Sequence, residues 1–364
     1  MMAFADRYQR QMRLPRFGAE GQRRLRASRV LVVGCGALGT VACEQLCRAG
    51  VGAIDIVDRD VVEPSNLQRQ TLFTEQDALR REPKAEAAKA RLRQINGECT
   101  VRAFVDDLHA ANMLRYARAA DIVLDCLDNF ETRYLLNDGS VELGTPLVYA
   151  GAVGMRGMAA ALLPVTGAGR AASRVVYGNG RATPCLRCLA PEPPMPGEVE
   201  TCETVGVLGP AAGIAASIEA GLAIRLLAEG ADAVPASMVR FDLASLEFRD
   251  ASIASARDPS CPCCALGERR FLQAMESPWR VLCGRNAVEL RLPTATDAAG
   301  LDRIAARLGA GSERGTRSVR GALDPSLGAT SVQVLLAEVG TLVLVEGTTD
   351  PERARSAVAA AVGL

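Results

Sequence analysis

The sequence places several side chains that could bind phosphate or Mg²⁺ along one edge of the predicted sheet. Asn66, Arg69 and Lys84 could hold phosphate oxygens, and Asp128 supplies a carboxylate for Mg²⁺. Cations on phosphates together with a carboxylate for Mg²⁺ are typical of nucleotidyl transfer, which depends on positioning and charge neutralisation. The sequence has no Walker A pattern, which argues against ordinary P-loop ATP hydrolysis.

A glycine turn between a strand and a helix must position these side chains. The short β-branched run Val30–Val33 predicts a buried parallel strand. Gly34, Gly36 and Gly39 follow it in G-x-G-x-x-G spacing, which permits a tight turn, a close approach to phosphate and close helix packing. Asp58 ends the next strand, where it could accept from a ribose hydroxyl. This pattern alone points first to NAD(P) or FAD, so the choice between a dinucleotide and ATP stays open.

The rest of the sequence predicts an α/β fold, a Rossmann-like doubly wound and mostly parallel sheet. Strands at 99–105, 121–126 and 146–150 alternate with helices at 112–120 and 131–144. After Gly157 the pattern changes to an antiparallel extension, with Met158–Leu163 pairing Ser173–Tyr177. A long apolar helix over Gly209–Ala228 and a hairpin over 237–249 complete this part.

The length of 364 residues suggests two domains. We expect an N-terminal arm and helix at 1–28, a nucleotide-binding domain with a zinc site at 29–267, a linker at 268–280 and a small α+β domain at 281–364. Within the last of these, strands are predicted at 287–292, 331–338 and 341–346, and helices at 301–308 and 350–362.

Two cysteine pairs have the spacing of metal ligands. A chain with twelve cysteines and no secretion signal is expected to hold thiols and metal ligands rather than disulfides. Cys185 and Cys188, with Cys261 and Cys264, supply four thiolates that suit a structural Zn²⁺ joining two distant loops. Cys263 leaves the second pair ambiguous, because C-P-C-C offers alternative ligands.

Cys202 is the remaining candidate nucleophile. It lies in a proline-rich loop just before a helix predicted to start near Gly206, where the helix N-terminus would stabilise a thiolate. On spacing alone, an inert exposed cysteine and a nucleophile are equally good interpretations. His109 is the only histidine and has no motif around it, which leaves no support for a Ser-His-Asp or Cys-His mechanism.

Composition excludes several classes of protein. Forty-two basic residues balance forty-two acidic ones, so nothing in the net charge indicates binding of nucleic acid or of an anionic membrane. The longest apolar stretches, around Thr204–Ile218, are interrupted by Gly and Pro, and the N-terminus lacks a signal-peptide core. We therefore expect a cytoplasmic protein without a membrane span.

Nine motifs in order over residues 6–267 resemble the ThiF/MoeB/HesA family, the bacterial relatives of ubiquitin-activating enzymes. They are R-Y-Q-R-Q (7–11), G-C-G-A-L-G (34–39), V-D-R-D (57–60), S-N-L-Q-R-Q (65–70), P-K-A-E (83–86), D-C-L-D-N-F-E-T-R (125–133), P-C-L-R-C (184–188), T-C-E-T-V-G-V-L-G-P (201–210) and C-P-C-C (261–264). Two features depart from the family: Ala37 replaces a usual glycine, and the C-terminal ninety residues contain no rhodanese-type sulfur-transfer loop.

The resemblance implies ATP-dependent adenylation of the C-terminal Gly-Gly carboxylate of a ubiquitin-like, β-grasp sulfur carrier, with pyrophosphate released. It implies a homodimer in which Arg10 acts in the partner subunit's site, and a separate sulfur donor if sulfur is transferred. Arg69, Lys84 and Asp128 would be catalytic, and Cys202 would bond covalently to the activated carrier. The residues implied to bind ATP and Mg²⁺ are Gly34, Gly36, Gly39, Asp58, Asp60, Asn66, Arg69, Gln70, Lys84, Asp128 and Asn129, and those implied to bind Zn²⁺ are Cys185, Cys188, Cys261 and Cys264.

Three other functions stay open at this point. The chain could adenylate another carboxylate or amide, such as a peptide terminus or a tRNA base. It could be an NAD-dependent Rossmann oxidoreductase, as the glycine turn alone allows. It could also be a zinc-clipped scaffold that binds a carrier without activating it, although the set of Arg10, Arg69, Lys84 and Asp128 argues against this.

Overall fold

A computed structural model provides the structure of this chain and describes residues 4–163, 182–195, 198–274, 279–282, 286–292, 296–338, 340–361 and 363. Within those ranges eight strands form the first sheet, in the order β3-β2-β1-β4-β5-β6-β7-β8. The parallel strands are β1 (Arg29–Val33), β2 (Ala53–Val57), β3 (Thr100–Phe104), β4 (Ile122–Asp125) and β5 (Leu147–Val153), and the antiparallel ones are β6 (Arg156–Leu162), β7 (Ser237–Asp242) and β8 (Glu247–Ser252).

The strand order confirms the predicted doubly wound fold with an antiparallel extension. The chain runs outward from β1 to β3 and then returns to place β4 on the other side of β1. This reversal leaves a crevice at the carboxyl ends of β1 and β4, where open α/β sheets bind their ligands. The predicted strand 158–163 pairs with β5 and β7. Its predicted partner, Ser173–Tyr177, lies outside the described residues.

Helices cover both faces of this sheet. Their bounds are α1 (Phe4–Met12), α2 (Gly18–Ala27), α3 (Ala37–Ala49), α4 (Glu75–Leu79), α5 (Lys84–Ile95), α6 (Ala110–Ala117), α7 (Phe130–Leu143), α8 (Leu186–Leu189), α9 (Cys202–Val205) and α10 (Gly209–Glu229). Helices α3, α5 and α10 contribute to the buried cluster on one face, and α6 and α7 to that on the other. Both faces of the parallel strands are therefore buried, which explains their continuous apolar sequences.

Helix α10 is the described helix that could cross a membrane by length and composition. Its most apolar stretch is, however, 56% buried inside the protein. It packs against α2, α3, β5 and β6, with Ala212, Ala216 and Ala223 fully buried. Its small side chains let it lie close to the sheet, as expected of a core helix.

The N-terminal segment is packed onto the body of the protein. Tyr8 of α1 is 3% exposed, and its hydroxyl accepts a hydrogen bond from Asn96 Nδ2 at 2.9 Å. The amide of Gln11 donates to the carbonyl oxygen of Ala49 at 3.0 Å. These contacts anchor α1 to the body of the protein.

A second, antiparallel sheet occupies the C-terminal part, in the order β11-β12-β13-β14-β10-β9. Its elements are β9 (Trp279–Leu282), β10 (Ala287–Leu292), α11 (Ala298–Leu308), β11 (Glu313–Arg314), β12 (Ser318–Ala322), β13 (Ser331–Leu336), β14 (Thr341–Glu346) and α12 (Pro351–Ala361). The two helices and the sheet enclose their own apolar cluster. Strands β9, β11 and β12 were not expected from the sequence, and the predicted domain boundaries at 267 and 281 stay a prediction.

Candidate active site

The glycine turn brings strand β1 and helix α3 into close contact. Gly34 has a φ of 89°, and a Cβ there would lie 2.6 Å from the carbonyl oxygen of Cys126. A Cβ on Gly39 would lie 2.0 Å from the carbonyl oxygen of Gly34. At Gly36 the nearest atom to such a Cβ is Gln70 Nε2 at 3.8 Å. The first and third glycines thus serve the close packing, and the second leaves its backbone open to a ligand.

A cavity of about 890 Å³ opens at the carboxyl ends of the parallel strands. Its volume lies within the range of small-molecule sites. Gly39, which lies beneath the turn, and Arg10 do not line it. The predicted site residues that line it are Gly34, Gly36, Asp58, Asp60, Asn66, Arg69, Gln70, Lys84, Asp128, Asn129 and Cys202.

Carboxylates at the end of β2 position a cation in this cavity. Lys84 is 6% exposed, and its Nζ donates to Asp60 Oδ2 at 2.8 Å. Its backbone N–H donates to the carbonyl oxygen of Asp60 at 2.9 Å, which ties the first turn of α5 to the strand end. Asp58 accepts from the backbone N–H of Cys35 at 2.6 Å. Burial raises the pKa of Asp58, while the nearby Lys84 ammonium lowers it.

The loop after β2 contributes a second cation and a buried amide. Arg69 lines the cavity, and its Nη1 donates to the carbonyl oxygen of Ser65 at 2.9 Å. Asn66 Oδ1 accepts the backbone N–H of Glu63 at 3.0 Å and so shapes the loop. Gln70 is 3% exposed, and its Oε1 has no hydrogen-bond partner among the described residues. A buried polar atom of this kind, facing a cavity, indicates a polar group of the ligand.

A carboxylate enters the cavity just after β4. Asp128 is exposed and lines the same cavity as Lys84 and Arg69, which follow β2 in the chain. Asn129 also lines the cavity, but its Oδ1 accepts the backbone N–H of Thr132 at 3.0 Å and caps α7. The donor set at this point, an exposed carboxylate beside open space, suits Mg²⁺, which prefers oxygen ligands and retains several waters.

Arg133 also lines the cavity, and no role was predicted for it from the sequence. It is 6% exposed and forms an ion pair with Asp125 at 3.4 Å. Its Nη2 donates to the carbonyl oxygen of Leu127 at 2.5 Å, and its guanidinium lies 4.7 Å from the centre of the Tyr149 ring. Burial raises the pKa of Asp125 to about 6, although Arg133 lowers it. Arg133 therefore fixes the backbone that presents Asp128. Its position in the motif D-C-L-D-N-F-E-T-R is the sequence feature that could have indicated this role.

The far end of the cavity is lined by the antiparallel strands. Its residues lie on β6, β7 and β8, and those on β8 alternate, as one face of a strand requires. Sequence reasoning missed them because an exposed strand face carries no chemical motif. They are Arg156, Gly157, Met158, Arg240, Phe241, Asp242, Glu247, Arg249 and Ala251. This end lies beyond the turn and phosphate side chains, so the cavity has room for a second, extended substrate.

Cys202 lies between these two ends. Cys202 is the first residue of the single-turn helix α9, which Thr201 caps, and the long helix predicted to start near Gly206 begins at Gly209. Its Sγ donates to the carbonyl oxygen of Ala152 at 2.9 Å. Burial raises the pKa of the Cys202 thiol. The nearby Asp128 carboxylate raises it further, and the Arg69 guanidinium lowers it. The expected stabilised thiolate is therefore wrong for this conformation, since the environment favours the thiol.

The two cysteine pairs come together as a four-sulfur cluster. The Sγ atoms of Cys185, Cys188, Cys261 and Cys264 all lie within 4.8 Å of one another. Cys185 and Cys261 are 3.7 Å apart, and Cys188 and Cys264 are 3.4 Å apart. Tetrahedral Zn–S bonds of about 2.3 Å separate sulfurs by about 3.8 Å, so the cluster fits Zn²⁺.

Two cysteines of C-P-C-C, Cys261 and Cys264, belong to the four-sulfur cluster. Cys263 is buried and donates its thiol hydrogen to Asp138 Oδ1 at 3.2 Å, while Asn137 Nδ2 donates to its sulfur at 3.4 Å. Its sulfur is thus engaged by helix α7, and it also lies close enough to Cys185 to raise the pKa of that thiol. The eleven described cysteines form no disulfide, which agrees with the expectation from composition.

Arg10 lies on α1, is exposed and does not reach the cavity of its own chain. The predicted catalytic role of Arg10 therefore requires a second subunit, because Arg10 does not line the cavity of its own chain. Within the described residues, the arginines that line the cavity are Arg59, Arg69, Arg133, Arg156, Arg240 and Arg249.

Comparisons with known proteins agree on one family. The sequence profile of the ThiF family matches residues 8–263. The chain is 36% identical over 351 residues to the sulfur carrier protein ThiS adenylyltransferase of Bacillus subtilis, covering 96% of this chain and 97% of that protein. It is 39% identical over 259 residues to a sulfur carrier protein adenylyltransferase of Thermus thermophilus, covering 71% of this chain and 90% of that protein.

Solved structures show the same fold. The crystal structure of E. coli MccB with MccA-N7isoASN superposes with a TM-score of 0.58 at 22% identity, covering 71% of this chain and 74% of that one. The glycine turn alone left open whether the nucleotide is a dinucleotide or ATP. The relatives named as adenylyltransferases decide for ATP, because adenylation consumes ATP rather than NAD.

Proposed function

Because this chain belongs to the ThiF family and is an ATP-dependent adenylyltransferase, we propose that its second substrate is the C-terminal Gly-Gly carboxylate of a ubiquitin-like sulfur carrier. The observation that carries the proposal is the continuous cavity, which joins the glycine turn and the phosphate cations to an end lined by three strands. An extended peptide tail would fit that end, and glycines at its tip, which have no side chains, could come close to the nucleotide.

The reaction needs charge placement more than proton transfer. A carboxylate oxygen of the carrier attacks the α-phosphorus of ATP, the bond from that phosphorus to the bridging oxygen breaks, and pyrophosphate leaves with the bond electrons. The carboxylate is already ionised at neutral pH, so no general base is required. Lys84 and Arg69 would offset the charge that gathers on the phosphates, and Asp58 would hold the ribose.

Asp128 would hold Mg²⁺ in this proposal. When bound, the ion supplies neutralisation of the phosphate charge and a fixed geometry for the leaving pyrophosphate. Arg133 would keep the Asp128 segment in place through its hydrogen bond to the Leu127 carbonyl oxygen. The four-cysteine cluster would hold Zn²⁺ as a structural ion, since four sulfurs leave no open position for a substrate.

Carrier-dependent exchange of labelled pyrophosphate into ATP tests the proposal. We expect exchange with a β-grasp carrier that ends in Gly-Gly and none with the same carrier lacking those two residues. An absence of exchange with every such carrier, by an enzyme that still binds ATP, would contradict the proposed substrate. We also propose a cytoplasmic location and, because the C-terminal part contains no rhodanese-type loop, a separate sulfur donor if sulfur is transferred.

Cys202 is proposed to act after adenylation. Its sulfur would attack the carbonyl carbon of the carrier adenylate, forming a thioester as the bond to AMP breaks, and the thiol proton would leave to solvent. We expect Cys202→Ala to keep pyrophosphate exchange within about twofold of the wild type, since the thiol takes no part in adenylation. Intact-mass spectrometry should find an enzyme–carrier adduct with wild-type protein and none with the variant. An adduct of equal yield on the variant would contradict this role.

The pH dependence separates the two steps. Because burial raises the pKa of Cys202, the thiolate fraction and hence the adduct rate should increase as pH rises toward that pKa. Exchange should not follow this increase, since the carrier carboxylate is ionised throughout.

Arg10 is proposed to act in the partner subunit of a homodimer. We expect Arg10→Ala and Asp128→Ala each to abolish most exchange. Mixing the two variants should then restore about a quarter of wild-type activity, because half of the dimers are mixed and each has one intact site. Failure of the mixture to regain activity, with subunit exchange verified by native mass spectrometry, would contradict the action in trans.

A further inference from the structure

The C-terminal sheet contacts the nucleotide cavity rather than standing apart from it. Glu289 of β10 forms an ion pair with Arg59, and Glu289 is 6% exposed. Arg291, two residues along the same strand, donates to Asp106 Oδ1 at 3.1 Å. Arg59 and Asp106 both line the cavity, just after β2 and β3. Two neighbouring side chains of one strand are thus paired with two side chains of the cavity wall.

The ion pair of Glu289 leads to the lysine of the phosphate site. Arg59 Nη1 also lies 3.4 Å from Asp107 Oδ2, and Arg59 Nε lies 3.9 Å from Asp60 Oδ1. Asp60 is the carboxylate that holds Lys84 at 2.8 Å. Glu289 draws the Arg59 guanidinium toward β10, and this limits its competition with Lys84 for Asp60. Loss of the Glu289 charge would shift this balance, because close charge pairs in a network are coupled.

Asp106 is held from both sides. Its side chain is 1% exposed, and Oδ2 accepts from the Tyr116 hydroxyl at 2.7 Å while Oδ1 accepts from Arg291. A buried carboxylate needs such partners, because its desolvation is otherwise costly. Without Arg291, Asp106 would lose the hydrogen bond that comes from the second sheet.

The contact area extends beyond these charges. Val61, Leu335 and Leu342 form a buried apolar cluster between the two sheets. Arg81, whose φ is 46°, donates from Nη1 to Glu313 Oε2 at 2.7 Å. A Cβ on Gly315 would lie 2.9 Å from the carbonyl oxygen of Arg81. The second sheet thus lies against the turn that leads into Lys84 as well as against the ends of β2 and β3.

We propose that Glu289 and Arg291 are positioning residues of the ATP site, and that the C-terminal sheet serves to set the affinity for ATP. The proposal rests on the proposed function for the identity of the nucleotide. It gives the C-terminal part a role that is exerted through Arg59 and Asp60 on Lys84 of the phosphate site, and not on the strand-lined end where the carrier tail would lie.

Isothermal titration of the full-length chain with a non-hydrolysable ATP analogue and Mg²⁺ tests this role. We expect Glu289→Gln and Arg291→Gln each to weaken binding about fivefold, as the loss of one coupled charge pair would. Glu289→Asp should recover part of the loss. In the exchange assay KM for ATP should rise while KM for the carrier stays unchanged. The matched control is Glu352→Gln, which removes an exposed carboxylate of α12 that pairs with Arg355 and should bind as the wild type does.

Wild-type affinity in both folded β10 variants, or an equal loss in the Glu352 variant, would overturn the proposal. Thermal melts establish that each variant is folded, and Glu289→Asp provides a second test if Glu289→Gln is not. A wild-type chain that fails to bind the analogue would instead contradict the proposed function itself, so the two failures are distinguishable.

Discussion

Replacing Asp128 by asparagine is expected to lower carrier-dependent pyrophosphate exchange by at least about 100-fold, because it removes the charge proposed to hold Mg²⁺ at the phosphates. Asparagine keeps the size of the side chain, and Asp128 is exposed, so the fold should be unaffected. ATP titrations with and without Mg²⁺ should show that the variant has lost the gain in affinity that Mg²⁺ gives to the wild type.

The matched control for this variant is Asp250→Asn on β8. Glu247, Arg249 and Ala251 of that strand line the cavity, so Asp250 between them points to the opposite face. The control removes the same charge close to the cavity without entering it, and exchange should stay within about twofold of the wild type. Exchange by Asp128→Asn within threefold of the control would contradict the role of Asp128.

Removal of one cluster cysteine is expected to have the largest effect on stability. We expect the purified wild type to contain one Zn²⁺ per chain, and Cys185→Ser to lose it and to lower the Tm by about 10 °C or more, because structural zinc contributes folding free energy directly. The cluster joins Cys185 to Cys261 across 76 positions of the chain, and closing a long loop removes much entropy from the unfolded state. Elemental analysis and differential scanning calorimetry measure the two quantities.

Cys263→Ser is the control for this experiment. Its sulfur hydrogen-bonds with Asp138 and Asn137, so the variant should retain one Zn²⁺ per chain and lose only a modest part of its stability. Full zinc occupancy in Cys185→Ser, or loss of zinc in Cys263→Ser, would show that the ligand set is wrong.

The sequence was most informative where a residue type has one physical purpose. Gly34 and Gly39 were predicted to serve a tight turn and close packing, and a Cβ at either position would collide with backbone. The paired cysteines were predicted to meet although they are far apart in the chain, because thiolates at that spacing suit one metal. Buried parallel strands were recognisable from continuous β-branched runs, since both of their faces are covered.

Features that depend on tertiary contacts were not predictable. Arg133 was visible in a motif, but its purpose depends on the Leu127 carbonyl oxygen and the Tyr149 ring, which the fold brings to it. The Cys202 thiol donates to a carbonyl oxygen of β5, fifty residues away, and the burial that raises its pKa was not visible in the local sequence. Glu289 and Arg59 form an ion pair although they are 230 positions apart in the chain, and neither residue type predicts such a partner.

The position of Cys202 also bears on how its thiol would compete with dissolved thiols for the activated carrier. Its sulfur is held at the Ala152 carbonyl oxygen, inside the cavity that contains Asp128 and Arg69. A thiol fixed there would meet an acyl adenylate bound in the same complex, and pre-organisation of this kind corresponds to effective concentrations on the order of millimolar or higher. Dissolved thiols such as glutathione would have to enter from solvent to intercept the intermediate. The single-turn helix α9 would thereby give the protein's own sulfur the first access to the activated carrier.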